Sequence, residues 1–178
     1  MQRYAQPFSL PAYSYVPGRF PHPQSDPQGH SYQKTNPFIG HLTPSQVLER
    51  EEFLQGVDLF NHGYYWESHE QWELIWKAIG QRGTMGCFLK GLIKLAACGV
   101  KAREEIPHGT AHHARRGADL LELCREKQVI MSRVNLDALI EAARKVEGDP
   151  ESIFNGSPEL VVVVWKVPIE IRTANNVL

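Results

Sequence analysis

From Thr43 to Asp149 apolar residues return every three or four positions, the spacing of helices that bury one face. The first helix has Thr43 as a cap, Pro44 at its first helical position and Gln46 completing a capping box. Phe53, Val57 and Phe60 keep one apolar face, and Gly63 is placed to end the helix in a left-handed conformation. A second helix is expected from about Tyr65 to Ala78, and Gly80 and Gly83 break the chain after it. The third, roughly Thr84 to Arg103, carries Phe88, Leu92, Leu95, Ala96 and Val100, with Gly91 and Gly99 offering close helix contact. Pro107 and Gly109 separate it from a fourth, starting near Thr110 and running through Ala114, Ala118, Leu121 and Cys124. Asn135 caps a fifth, lined by Leu136, Leu139, Ile140, Ala143 and Val146 and stopped by Gly148-Asp149-Pro150. Loops are short and no spacing demands a sheet, so the expected fold is all-α: a compact antiparallel bundle of about five helices.

Both ends depart from this pattern. The chain divides into an extended arm over residues 1–43, a helical body over 44–148 and an extended tail over 149–178. Eight of the twelve prolines fall before residue 45, which argues against regular structure there. Yet the arm holds Tyr4, Phe8, Tyr13, Tyr15, Phe20, Tyr32 and Phe38, too many aromatics for a solvated tail. It is therefore expected to be ordered and laid over the body. Within it Asp26-Pro27-Gln28-Gly29 suits a β-turn and sets His22 and His30 on either side. In the tail, ELVVVVWKVPIEI after the Asn155-Gly156 turn signal is β-branched and extended by preference. It has two candidate partners, the arm or the same tail of a second subunit in a homodimer. Pro168 limits it to an edge.

Composition adds exclusions. A net charge of −1 gives no support to a nucleic-acid partner. The longest apolar run, Leu160 to Trp165, falls far short of a membrane span, and no apolar leader follows a basic start. Cys87, Cys98 and Cys124 form no metal-type pair and read as small buried hydrophobes in a reducing cytoplasm.

Candidate chemistry gathers on the second helix. At 100° per residue, Trp66, His69, Glu70, Glu73 and Trp76 fall in one stripe, beside Glu67. Some of these polar atoms are expected to be sheltered, and a sheltered carboxylate must find a cation, a donor or a proton. Three arrangements answer that need. One is a buried network, with Glu70 or Glu73 paired to Lys77, Arg82, Lys90 or Lys94 and His69 bonded to a backbone carbonyl. A second is a divalent-metal site of His69, Glu70 and Glu73, completed by His112 or His113; the spacing is neither HExxH nor a repeated ExxH. A third is an organic-ligand pocket walled by Trp66, Trp72 and Trp76, with Glu67 or His69 as polar contacts. His69 beside Glu73 would also suit an acid–base pair. No activated nucleophile and no glycine-rich phosphate loop accompany them. Asn61 and His62 can bond freed backbone groups at the helix junction, and Asn61 is kept as a ligand-binding candidate.

The run Gly56, Asp58, Leu59, Phe60, Asn61, Gly63, Tyr65, Glu67, His69, Glu70, Trp72, Glu73 and Trp76 resembles the bacterial and archaeal domain-of-unknown-function family three hundred and nine. Lys90-Gly91-Leu92-Ile93-Lys94-Leu95-Ala96-Ala97 is similar to that family's second block, and the HPQSDPQGHS arm to an extension of its longer members. The resemblance implies an all-α bundle of helical hairpins and no particular reaction; the β-like tail lies outside it. The hairpins are also similar in shape to tetratricopeptide packing, without its 34-residue period. The leading expectation is a metal ion or small ligand bound on the second helix, with hydrolase-like chemistry open to it. The alternative is a non-catalytic interaction module whose Glu/His cluster is a structural network.

Overall fold

The structure, a computed structural model, describes residues 2–35, 39–125, 127 and 132–172. The aromatic expected at Phe38 lies outside these residues, as do the last six residues of the tail. Five α-helices form the body: α1 (Glu51–Asn61), α2 (Tyr65–Ala78), α3 (Gly83–Arg103), α4 (Pro107–Arg125) and α5 (Leu136–Gly148). Each packs on the next, with α3 and α4 sharing the most extensive contact, so the bundle is all-α.

Two boundaries move from their expected places. The Thr43–Gln46 box forms, with the Gln46 side chain accepting the Thr43 amide at 3.0 Å, but it opens only a 3-10 turn, Pro44–Glu49. Arg50 is extended, and the α-helix starts afresh at Glu51. The fourth helix starts at Pro107, three residues before Thr110, because proline is well suited to a first turn whose amides lack helical partners anyway.

Gly63 takes the left-handed φ of +88° expected of it, and it has a second duty. A Cβ there would lie 2.6 Å from the Val162 carbonyl oxygen, so the tail can cross this corner only over a glycine. Gly99 and Gly91 likewise admit neighbours: a Cβ at Gly99 would fall 2.6 Å from the Tyr65 ring, and one at Gly91 2.7 Å from Leu121. The core centres on fully buried Phe53, Phe60, Trp72, Phe88, Leu92 and Leu95. By length and composition α3 could cross a bilayer, and here 67% of its most apolar window is buried inside the protein.

The tail is extended but forms no strand among the described residues. Its backbone is paired mostly by side chains of the helices. The Asn61 amide donates to Ile169 O and accepts from Ile169 N, each at 2.8 Å. Asn135 does the same for Pro168 O and Glu170 N, at 3.0 and 2.9 Å. The Tyr65 hydroxyl accepts from the amides of Val164 and Trp165, and the Arg103 guanidinium donates to Ser157 O and Glu159 O. Among the described residues the arm adds one backbone–backbone bond, Ser14 N to Leu160 O at 2.9 Å, and the Arg19 guanidinium, which donates to Gly156 O at 2.7 Å. A side-chain amide presents one donor and one acceptor side by side, so it can stand in for a neighbouring strand at a single residue.

Two buried carboxylates hold the arm. Asp58, fully buried on α1, accepts the amides of Tyr4 (2.8 Å) and Ala5 (3.1 Å) and the Arg3 guanidinium (3.4 Å). Glu67 on α2 accepts the Tyr15 amide at 2.9 Å. The Asp26–Gly29 turn closes as expected, with Gly29 N bonded to Asp26 O at 2.8 Å and Gln28 N to Asp26 Oδ1 at 2.9 Å.

Candidate functional site

The stripe read on α2 is divided by the tertiary structure between two neighbours. The core takes Tyr65, Ser68, Trp72 and Ile75. Trp72 is therefore packing rather than a pocket wall, and its indole donates to Phe53 O at 3.3 Å. On the α1 flank Glu67, Glu70 and Trp66 meet the arm; on the α3 flank His69, Glu73 and Trp76 meet α3.

On the arm side the turn delivers both histidines. His22 lies edge-on to Trp66, ring centroids 5.4 Å apart, and Tyr15 packs on both. His30 Nε2 sits 2.9 Å from Glu67 Oε1, and its Nδ1 2.9 Å from the Ser31 hydroxyl. With a proton on Nε2, His30 can donate to the carboxylate while Nδ1 faces the Ser31 hydroxyl, so both ring nitrogens have a partner. The pair is well sheltered, at 10% and 6% side-chain exposure. Glu67 Oε1 thus takes both the Tyr15 amide and His30, whereas Oε2 is buried with no hydrogen-bond partner among the described residues. Glu67, His30, Trp66, Glu70 and Gln71 line a cleft of about 270 Å³ open to solvent, with Phe8, Pro11 and Lys34 of the arm also on its walls. A larger groove of about 550 Å³ runs between α5 and the tail, but it holds no unpartnered buried polar atom among the described residues.

The expected metal set does not form. Among the described residues no three His, Cys, Asp or Glu side chains are grouped to hold an ion. The reason is visible at His69. Its Nδ1 lies 3.4 Å from Glu70 Oε1 and its Nε2 3.8 Å from Glu73 Oε1, so the ring stands between the carboxylates and its nitrogens point opposite ways. Glu73 turns its other oxygen to Lys77 at 3.1 Å, one of the pairings expected for a network. Although burial pushes the Glu73 carboxyl up, the Lys77, His69 and Lys90 charges together hold it below its usual value. Among the described residues no backbone carbonyl takes His69 Nδ1, whose near neighbour is the Glu70 carboxylate. Asn61, kept as a ligand candidate, has both amide atoms engaged by the tail. His112 and His113 face different surroundings: His112 is exposed, while His113 is half-buried against α3.

Burial first, then the charges of Lys94, His112, Lys101 and His69, pushes the His113 imidazole down to about 4. A depressed histidine is protonated first in the unfolded chain. Its share of stability is whole above the ordinary value near 6.5 and is lost as pH falls toward 4. Discounted for solvent at this half-buried ring, the loss is about 1 kcal/mol. Urea denaturation at pH 7 and pH 4.5 should therefore show a smaller acid loss in His113→Gln than in the wild type. Equal losses would place the proton uptake elsewhere.

Asp58 and Tyr15 were not read as site-forming residues. Asp58 carried a usable signal, a carboxylate set inside the apolar run Val57, Leu59, Phe60. Tyr15 acts through its backbone amide, which no side-chain pattern reveals. The cysteines are free, and burial raises the Cys98 and Cys124 thiols.

No curated protein and no solved structure matches the chain. Residues 53–117, which run from α1 into the middle of α4 and include the whole α2 stripe, match the family model described as Domain of unknown function (DUF309), in keeping with the resemblance read from the Gly56–Trp76 run.

Proposed function

We propose that the protein binds a small polar ligand in the cleft between the arm and α2, anchored by Glu67, with His30 as the adjacent proton donor or acceptor. The observation that carries this reading is the divided use of one carboxylate. Glu67 spends Oε1 on fastening the arm and leaves Oε2 buried without a donor among the described residues, beside the cleft. A desolvated acceptor of that kind costs about 1–3 kcal/mol until a donor reaches it. The complementary ligand carries N–H or O–H groups and an apolar edge to lie on Trp66. An amine, an amidine or a polyol meets that description, and about 270 Å³ suits a molecule of that size. The arm then acts as a wall whose docking and whose ligand share one residue.

Putrescine, agmatine and myo-inositol span the three chemistries. Titrated into the full chain and followed by amide chemical shifts, at least one should perturb Tyr15, His30 and Trp66 saturably. Glu67→Gln keeps an oxygen for Tyr15 and His30, so the arm stays docked, and affinity should fall by about tenfold or more through loss of the charged acceptor. Binding that is indifferent to Glu67→Gln, or no binding by any of the three, would remove this reading.

A further inference from the structure

The opposite flank of α2 carries a second constellation. Lys90 Nζ lies 4.0 Å from the Trp76 ring centroid and the Tyr65 ring rests on Gly99, so α2 runs antiparallel along α3. That register sets His69 and Glu73 level with Lys94. On the other side Gly91 meets Leu121 and Gly117, and Cys98 Sγ donates to Thr110 O at 3.4 Å. This second register sets His113 and Arg116 level with Lys94 too. Burial, then the Lys90 and Arg116 charges, lowers Lys94, with Glu73 alone opposing them.

We propose that this three-helix face, centred on Lys94, is a binding site for a phosphoryl group carried by a small molecule. Lys94 forms no ion pair among the described residues, and Arg116 reaches only Asp119, at 3.7 Å. Beside them two ring nitrogens are buried without a hydrogen-bond partner among the described residues, His113 Nδ1 and Trp76 Nε1, while His69 turns Nε2 toward Glu73 and Nδ1 toward Glu70. Cations drawn together beside unpartnered buried polar atoms, the Trp76 indole N–H among them, are costly unless an anion neutralises them. Of the carboxylates here, Lys77 already engages Glu73, and Asp119 lies beside Arg116. Two ammonium groups without a carboxylate partner among the described residues, Lys94 and Lys90 over the Trp76 ring, match the charge of a phosphoryl dianion, for which lysine is a frequent point-charge partner. The site is independent of the cleft at Glu67, on the other flank of the helix.

The test is titration of the full chain with inorganic phosphate and pyrophosphate at constant ionic strength, read from histidine ring resonances, with chloride as control. Expected are saturable shifts at His113 and His69 and a rise in the His113 titration midpoint with phosphate. Lys94→Met should weaken phosphate binding about tenfold, and Glu73→Gln should tighten it severalfold by removing the opposing carboxylate. Lys90→Met serves as a second neutralising variant and should also weaken it. Non-saturable shifts, an equal response to chloride, or wild-type affinity in both lysine variants would overturn the proposal. So would weaker binding in Glu73→Gln.

Discussion

Replacing Asn61 with alanine should lower the unfolding free energy by about 2–4 kcal/mol, the larger part of it from the partner left behind rather than from the side chain removed. Asn61 gives its amide to the Ile169 carbonyl and takes the Ile169 amide, both at 2.8 Å, and Ile169 is fully buried. Without Asn61 two backbone groups stay in the core unbonded, each worth about 1–3 kcal/mol. The protein can relieve this only by letting the tail leave, which uncovers Trp165, whose indole donates to Leu95 O at 3.1 Å. Urea denaturation followed by tryptophan fluorescence measures the loss. Asn61→Asp sharpens the result: it keeps an acceptor for Ile169 N but faces Ile169 O with a charge, so it should be at least as damaging. An unchanged midpoint in both variants would mean that the tail does not depend on this clamp.

Asp58→Ala is expected to remove about 2–3 kcal/mol, from charge-assisted bonds held in a fully buried position. Its two oxygens receive Tyr4 N, Ala5 N and the Arg3 guanidinium, all from the arm. Unlike Ile169, these donors can turn to water once released, so the loss is concentrated in local opening of the arm. Hydrogen exchange at the Tyr4 and Ala5 amides should accelerate by on the order of 30- to 150-fold, the kinetic equivalent of that free energy. Tyr15, fastened separately by Glu67, should exchange nearly as before. Matching acceleration at Tyr4 and Tyr15 would show one cooperative arm and would contradict the two-clamp description. The outcome matters for the cleft, since Phe8 and Pro11 of its wall lie between the two clamps.

Periodicity and breaking residues determined the five-helix body. Phe53, Val57 and Phe60 are buried on α1 as the spacing requires, and Leu136, Leu139, Ile140, Ala143 and Val146 line α5. Such marks are local: a helix satisfies its amides within four residues, so its sequence carries most of what its backbone needs. The same reading named Glu67, His69, Glu70 and Glu73 as the residues needing explanation, and placed His22 and His30 across a turn that forms. Only the tertiary structure decided how they are shared out. It gave Glu67 to His30, set His69 between two carboxylates instead of on a common centre, and spent Asn61 on Ile169, a residue 108 positions away. Outside the local turns of the arm, the arm and tail lack repetitive hydrogen bonding, so amides such as those of Tyr4, Tyr15, Val164 and Ile169 are met by single side chains far along the chain. Partners chosen by docking leave no period in the sequence, and for that reason the division of the α2 stripe appears only once the helices are packed.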